Sequence, residues 1–275
     1  MNASSSLSET ETIPEIDGYH LLWSDEFDGE SIDYANWTYD VGNGDWGWGN
    51  GEKQYYTTLS RNSYVEEGAL HIVARADPTY ANCDYTSARL KSVGLFNFTY
   101  GRIEARLSLP TEVGMWPAFW LLPDEEGLKD YGGWPSSGEI DIMERMVFQE
   151  TIDETGNDLQ VTSSALHYGT DFGGNSYSIY QTNEHRVSDN VRNFHIYGCE
   201  WTKDYIRTYV DDEEVLRVER STWARLPGLE STSAPFDKPF YILLNLAVGG
   251  RVALPEEDFV SDEMIVDYVR VYQEN

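Results

Sequence analysis

Three carboxyl side chains within the stretch 132–146 have the types and the spacing that could perform chemistry. Glu139, Asp141 and Glu144 follow a run of turn residues and alternate with apolar ones. On a β-strand, residues two apart point to the same face, so Glu139 and Asp141 share a face. A β-bulge near residues 142–143 would add one residue and return Glu144 to that face. The pattern therefore predicts a row of three acids on one side of a strand whose other side is apolar.

A row of this kind suits the hydrolysis of a glycosidic bond with retention of configuration. In that reaction one carboxylate attacks the anomeric carbon and a protonated carboxyl donates to the leaving oxygen, the two groups lying about 5–5.5 Å apart. Position indicates Glu139 as the nucleophile and Glu144 as the acid/base, and Asp141 between them can raise the pKa of a neighbouring carboxyl. Because 48 of the 275 residues are acidic, the spacing alone leaves a solvated edge strand open as the alternative.

The surrounding segments have the pattern of short β-strands. Stretches such as 69–75 and 101–109 alternate apolar with polar residues, and glycines and prolines separate them. No segment of useful length has a helical period, although 256–262 could hold one turn of helix. No repeat or linker divides the chain. We therefore predict an all-β sandwich of two stacked sheets in a single domain, 17–275, after a flexible N-terminal tail, 1–16.

The composition narrows the class of partner. With 19 basic and 48 acidic residues the formal net charge is −29, which argues against nucleic acid and anionic membranes. A neutral polysaccharide tolerates this charge, whereas a sulfated or uronic one would be repelled unless basic residues line the cleft. No run of apolar residues reaches the length of a transmembrane helix. The first sixteen residues lack the features of a signal peptide, and a secreted chain whose signal had been removed would look the same.

Several aromatic and polar residues are candidates for a binding surface. Trp116 and Trp120 are four apart, so on a strand both indoles face the same side, with core packing open as an alternative for Trp120. A Gly/Trp-rich loop carries Trp46 and Trp48, which suit the rim of a sugar site. Asn245 interrupts an apolar strand and must find a partner, either in a cleft or as a buried amide bonded to the backbone. Of the two cysteines, Cys199 is expected to be buried and Cys83 to be more exposed.

The acid row also carries a resemblance. Its sequence, G-E-I-D-I-M-E, resembles the active-site signature of family 16 glycoside hydrolases, in the bulged form E-x-D-x-x-E of laminarinases (endo-β-1,3-glucanases). The resemblance implies a β-jelly roll of two curved antiparallel sheets, with a substrate cleft on the concave face. It covers nearly the whole chain after about residue 17, through W-S-D-E-F-D-G (23–29), W-G-W-G-N-G-E-K-Q-Y-Y-T (46–57), Y-G-R-I-E-A-R-L-S-L-P (100–110), M-W-P-A-F-W-L-L-P (115–123) and P-F-Y-I-L-L-N-L-A-V-G-G (239–250).

The resemblance implies a function as well. It indicates a retaining endo-β-1,3-glucanase that cuts laminarin-like β-glucans outside the cell as a monomer, without a cofactor for catalysis. Within the same fold, a mixed-linkage β-1,3-1,4-glucanase or a transglycosylase is the alternative, and the endo or exo mode of attack is left open. A non-catalytic β-glucan recognition protein is a further alternative, although such proteins usually lack one or both catalytic glutamates.

Residue by residue, the resemblance implies further site groups. It implies a structural Ca²⁺ held by Asp267 of the last strand together with backbone carbonyls, since oxygen ligands suit this ion. Arg145 follows Glu144 where laminarinases commonly have Asn, so we expect it to alter acceptor binding or the pKa of Glu144. The predicted substrate-binding residues are Asn50, Arg89, Trp116, Trp120, Trp134, His167 and Asn245.

Overall fold

The computed structural model describes residues 13–80, 82–149, 152, 158–172, 174–228 and 233–275. Most of the predicted tail, 1–16, lies outside these residues, as does much of the acidic connection after residue 149.

Strands dominate the described chain. In order they are β1 (Tyr19–Asp25), β2 (Thr38–Tyr39), β3 (Gln54–Tyr56), β4 (Ser63–Glu66), β5 (Ala69–Ala76), β6 (Tyr85–Ser87), β7 (Arg89–Lys91), β8 (Gly101–Ser108), β9 (Met115–Pro123), β10 (Glu139–Glu144), β11 (Val161–Phe172), β12 (Asn175–Arg186), β13 (His195–Trp201), β14 (Tyr205–Val210), β15 (Glu213–Glu219), β16 (Phe240–Val248) and β17 (Ser261–Glu274).

These strands form two sheets. Ten strands make the first, in the order β15-β14-β13-β8-β17-β5-β6-β3, with β1 beside β17 and β4 beside β5. Seven make the second, in the order β12-β11-β10-β9-β16-β7-β2. Among the described pairs, only β3 and β6 run parallel. The predicted all-β sandwich is confirmed.

The hydrophobic core lies between the sheets and follows the alternation of the strands. On β8 the buried side chains are Ile103, Ala105 and Leu107, and on β16 they include Ile242 and Leu244. One core cluster joins residues of both sheets, so the sandwich is a single packed unit. The face of the seven-stranded sheet that points away from this core is called the open face below.

Helical structure is sparse but not absent. The helix α1 (Glu125–Tyr131) begins at Asp124, whose carboxylate accepts the backbone N–H groups of Glu126 and Gly127. The helix α2 (Arg220–Trp223) has one turn, and a π-helical turn spans Gly47–Gly51. The helix α1 has only seven residues, too few to show a helical period, and the described residues 256–262 contain a turn but no helix.

Two further findings concern sequence predictions. None of the helices in the described residues has the length and apolar character needed to cross a bilayer. Both cysteines are free and buried. Cys199 lies in the core as predicted, but the expectation that Cys83 is more exposed was wrong, since its side chain is folded inward from the turn that carries it.

Candidate active site

The three acids of the predicted row stand on the open face, on β10. Asp141 lies opposite Trp120 of β9, whereas Met143 lies opposite Phe119, so Ile142 is the extra residue of a β-bulge. Ile142 and Met143 are both buried in the core although they are adjacent in sequence. The bulge therefore returns the next residue to the open face, as the sequence predicted.

A glycine fixes the start of this strand. Gly138 has a φ of +88°, and a Cβ on it would approach the rings of Phe236 and Phe240 to 3.1 Å. Any larger residue would be strained in this conformation and would push against the aromatic core. The close packing of Gly138 thus sets the position of Glu139, the next residue.

Burial gives the three carboxyls unusual acidities. Burial is the main cause that raises the pKa of Glu139, Asp141 and Glu144. The negative charge of Asp141 raises the pKa of Glu139 further, and that of Glu144 raises the pKa of Asp141. Like charges in a poorly solvated row oppose one another's ionisation, so the row favours keeping one of its carboxyls protonated.

His167 joins the nucleophile candidate to the central acid. It is the cross-strand neighbour of Glu139 on β11, and its Nε2 lies 3.2 Å from Asp141 Oδ2 and 3.8 Å from Glu139 Oε1. Asp141 Oδ2 makes no hydrogen bond of good geometry. An interaction with the Glu139 carboxyl lowers the pKa of Asp141 against the effect of burial.

Trp116 holds the third acid. Its indole N–H donates to Glu144 Oε1 at 2.9 Å, and this bond lowers the pKa of Glu144 against the effect of burial. The side chain is only 6% exposed and packs with Ala247 and Val252. Trp116 therefore positions Glu144, and its buried ring has no free face for the sugar stacking that the sequence suggested.

Arg89, on β7, lies on the side of β10 opposite to His167, and its side chain is held between two indoles. Its guanidinium carbon lies 4.8 Å from the ring centre of Trp48 and 4.7 Å from that of Trp120. Its Nε is 3.0 Å from Asp40 Oδ2. Cation–π contacts and an ion pair together hold a long side chain in one place, so Arg89 forms a rigid part of the open face. Its charge also lowers the pKa of Glu139.

A chain of hydrogen bonds supports this side of the face. Trp120 Nε1 donates to Asn245 Oδ1 at 2.7 Å, and Asn245 Nδ2 donates to the Tyr56 hydroxyl at 3.2 Å. That hydroxyl donates to Glu52 Oε2 at 3.3 Å, while Asn50 Nδ2 donates to Glu52 Oε1 at 3.1 Å. Each side chain in the chain is satisfied by the next, which keeps the polar surface ordered.

The arrangement can perform acid, base and nucleophilic chemistry. Glu139, Asp141 and His167 bring ligand atoms within 4.8 Å of one another, and they are the one such group of three in the described ranges. Aromatic rings flank the row on both sides, and such rings offer flat apolar surfaces to a sugar ring.

Comparison with known proteins agrees with this geometry. Residues 21–274 match the family described as "Beta-porphyranase A-D, GH16 domain". The chain belongs to glycoside hydrolase family 16. The glucan endo-1,3-β-glucosidase A1 of Niallia circulans is 37% identical over 280 residues, which cover 96% of this chain but 39% of that protein. A β-glucanase of Rhodothermus marinus is 40% identical over 263 residues, 93% of this chain and 85% of that protein.

A solved structure shows the same fold. The X-ray structure of the laminarinase from Rhodothermus marinus superposes with a TM-score of 0.77 at 39% identity, over 93% of this chain and 97% of that one. The two-sheet sandwich described above is therefore the family 16 jelly roll.

The family 16 fold brings most of the predicted site residues together on the open face. Trp120 is there and not in the core, with its indole bonded to Asn245. For Asn245 the choice was between a cleft and the backbone, and the structure places both ends of its amide on side chains, Trp120 of the open face and Tyr56 of β3 in the ten-stranded sheet. Trp134 is 57% exposed, with its ring centre 5.8 Å from that of His167. It is the exposed aromatic surface that the sequence suggested.

Sequence reasoning overlooked two parts of the site. Glu52, Gln54 and Tyr56 stand at alternate positions, and Gln54 Nε2 donates to Glu52 Oε2 at 2.6 Å. Alternation over residues 52–56 was visible in the sequence and would have placed all three side chains on one face. Tyr180, which lies beside His167, is surrounded by polar residues in sequence and gave no signal.

Arg145 points away from the site, contrary to expectation. It is fully buried, and its guanidinium donates to the carbonyls of Pro110 at 3.2 Å and Val161 at 2.8 Å and pairs with Asp158. The strand regains its alternation at Glu144, so the next side chain must face inward. Arg145 thus ties the segment after residue 157 to the sandwich and does not reach the acceptor side of Glu144.

Asp267 is already engaged by a cation of the protein. Its Oδ2 accepts a hydrogen bond from Arg106 Nη1 at 2.7 Å. Outside the catalytic group, the described residues contain no cluster of three acidic, His or Cys ligands. Asp267 thus takes part in an ion pair on the outer face of the ten-stranded sheet. The structural Ca²⁺, whose other expected ligands are backbone carbonyls, stays a prediction.

Proposed function

We propose that this chain is a retaining endo-β-1,3-glucanase that hydrolyses laminarin-like β-glucans by double displacement. One observation carries the proposal: the bulge at Ile142 places Glu139, Asp141 and Glu144 side by side on an open face that is flanked by aromatic rings. Retaining glycoside hydrolysis needs two carboxyls on one side of the substrate, one ionised and one protonated. The names of the Niallia and Rhodothermus relatives support β-1,3-glucan as the substrate class.

In the first step Glu139 attacks the anomeric carbon. The glycosidic C–O bond breaks, and the proton of Glu144 passes to the leaving oxygen. Burial favours the protonated form of Glu144 in the free protein, while the Trp116 N–H stabilises the carboxylate that remains after the transfer. The product of this step is a glycosyl ester on Glu139.

In the second step water takes the place of the leaving sugar. Glu144, now ionised, accepts a proton from that water as the water oxygen attacks the anomeric carbon and the ester bond to Glu139 breaks. Asp141 has only 5% of its side chain exposed, and its charge raises the pKa of Glu139. The charge of Arg89 opposes this effect and favours the ionised form of the nucleophile.

Catalysis is favoured over recognition alone. A binding protein has no use for three neighbouring acids with raised pKa values, because such a row costs stability. A sulfated galactan is also disfavoured as substrate, because Arg89 and Lys91 on the open face are both paired with Asp40. The carboxyl row does not by itself distinguish β-1,3 from β-1,4 linkages, so a mixed-linkage β-1,3-1,4-glucan is the second candidate substrate.

The reaction as proposed uses the carboxyl groups of the chain and water, without a cofactor. A structural Ca²⁺ has no part in it, since Arg106 pairs with the carboxylate of Asp267. Because the polymeric substrate lies outside cells, we propose an extracellular site of action, as a monomer.

The substrate is tested by incubating the protein with laminarin, barley mixed-linkage glucan and porphyran, with reducing ends counted and products sized. We expect rapid shortening of laminarin to oligosaccharides. By NMR, the new reducing ends should have the β-anomeric configuration when they first form, before mutarotation. Release of single sugars from chain ends would contradict the endo mode. Cleavage of porphyran alone would contradict the substrate class.

The two glutamates are distinguished by azide rescue with an activated aryl β-glucoside oligomer. We expect Glu139→Ala to yield an α-glycosyl azide and Glu144→Ala to yield a β-glycosyl azide, because azide replaces the nucleophile in the first variant and water in the second. Each variant should lose at least about a thousandfold in kcat on laminarin. Glu274→Gln, which removes an exposed acid of the ten-stranded sheet, is the control and should keep full activity.

A further inference from the structure

Two sets of side chains that contain aromatic rings flank the carboxyl row, one on each side of β10. On the side of β9, β16 and β7 lie Trp120, Asn245 and Arg89. On the side of β11 and β12 lie His167 and Tyr180, with Trp134 above them. An enzyme that cuts inside a polymer must hold sugars on both sides of the bond, so the second group needs a role.

Tyr180 lies directly in line with the nucleophile candidate. Glu139 is paired across strands with His167, and His167 is paired with Tyr180, so the three side chains form one row on the open face. Strands in a sheet are about 4.8 Å apart. The backbone of Tyr180 is therefore roughly 10 Å from that of Glu139, in the direction that crosses the strands.

The Tyr180 ring is presented to solvent. It is 63% exposed, although its neighbours on the same face of the strand, Ser178 and Thr182, are polar. The ring lies nearly parallel to that of His167, at 24° with centres 5.8 Å apart, which holds it in place. Trp134, on the other side of His167, is 57% exposed. An exposed pair of rings on a sheet edge has an energetic cost unless something covers it.

We propose that Tyr180, together with Trp134, forms a sugar-binding subsite on the β12 side of the carboxyl row. It holds uncharged glucosyl residues on the opposite side of the scissile bond from Arg89 and Trp120. The exposed ring stacks on an apolar sugar face, and the phenol hydroxyl at its edge can bond a sugar hydroxyl. The inference rests on the proposed function and adds a specificity determinant to it.

The test compares Tyr180→Ala with the parent on laminarihexaose and laminaritriose. We expect kcat/KM on the hexasaccharide to fall about three- to tenfold, mainly through KM, because one aromatic contact is lost. The trisaccharide is too short to span both aromatic groups, so kcat/KM on it should change by less than about twofold. With a hexasaccharide labelled at its reducing end, cleavage should shift to bonds that place fewer sugars over position 180.

Two further variants separate stacking from positioning. Tyr180→Phe keeps the ring and should behave nearly as the parent. Tyr177→Ala removes a ring of the same strand from the opposite face and should leave the cleavage pattern unchanged. An equal fall on both oligosaccharides would mean that Tyr180 only holds His167, and it would overturn the subsite. An unchanged pattern would overturn it too, whereas a parent protein inactive on laminarin would instead overturn the proposed function.

Discussion

At the scale of single residues, the pKa values of the three acids are set by their burial and by the charges of their neighbours. Asp141 has neighbouring carboxyls along β10 and one nearby base, His167. Its charge raises the pKa of Glu139 and so affects whether the nucleophile is ionised. The acid with no direct bond to substrate thus controls the acid that attacks.

Replacing Asp141 by Asn should reveal this control in the pH profile. The variant loses the negative charge that raises the pKa of Glu139, so that pKa falls and the acid limb of kcat/KM on laminarin moves to lower pH. We expect kcat to drop about a hundredfold, because the nucleophile also loses its positioning partner. An acid limb that stays in place or moves to higher pH would contradict the coupling, and Glu274→Gln serves as the control.

The same variant should be more stable than the parent at neutral pH. Carboxyls with raised pKa values bind more protons in the folded than in the unfolded state, so their burial costs increasing stability as the pH rises above about 4. Asp141→Asn removes one such group. We expect its Tm to exceed that of the parent at about pH 7.5 by a few degrees, each kcal/mol corresponding to about 2–4 °C. The gain should vanish near pH 4, and a lower Tm at neutral pH would refute the explanation.

At the scale of elements, the bulge in β10 decides which side chains enter the site. It turns Glu144 outward and Arg145 inward. Arg145 then serves as a buried clamp, bonded to two carbonyls and paired with Asp158. The catalytic strand and the segment that leads into β11 are thereby fastened to each other behind the open face.

Replacing Arg145 by Met should separate folding from catalysis. The change leaves Asp158 without its partner and two carbonyls unbonded, and removing one member of a buried ion pair costs about 3–5 kcal/mol. We expect a Tm at least about 6 °C lower by calorimetry, while the pH profile of kcat at a temperature where the variant is folded stays that of the parent. A displaced profile would show that Arg145 acts on Glu144 after all. Arg106→Met, which removes a partly exposed arginine, should cost much less.

At the scale of the whole molecule, two sheets share one core and divide the remaining work. The outer face of the ten-stranded sheet carries arginines that lie over aromatic rings, such as Arg217 over Tyr205 at 3.8 Å and Arg270 over Tyr268 at 3.5 Å. The chain has only 19 basic residues and a net charge of −29, and several of the arginines lie on this outer face. On the open face Arg89 and Lys91 are both paired with Asp40, and aromatic rings are exposed, which suits a neutral polymer.

The pairing of Asp267 with Arg106 leads to a prediction about calcium. Because the carboxylate is neutralised by a guanidinium on that outer face, we expect millimolar Ca²⁺ added after EDTA treatment to leave both the Tm and the activity unchanged. A Tm that rises with Ca²⁺ in the parent but not in Asp267→Asn would show that the metal displaces Arg106. Mg²⁺ at the same concentration is the control for ionic strength.

The sequence by itself determined the elements and the acid row. Alternation of apolar and polar residues, interrupted by Gly and Pro, is a local property, and it is enough to predict strands and a sandwich. The row at Glu139, Asp141 and Glu144 is local as well, since the bulge can be inferred from one extra apolar residue. The same logic would have found Glu52, Gln54 and Tyr56.

Only the tertiary structure decided how those residues are supported. Trp120 and Asn245 are 125 positions apart, and Asn245 and Tyr56 are 189 apart. Such contacts depend on the order and register of strands in a sheet, which no short stretch of sequence encodes. For the same reason Trp116 emerged as the partner of Glu144 and not as an exposed ring. The place of Tyr180 depends on the pairing of β12 with β11, because the sequence around an aromatic residue does not show which strand will lie beside it.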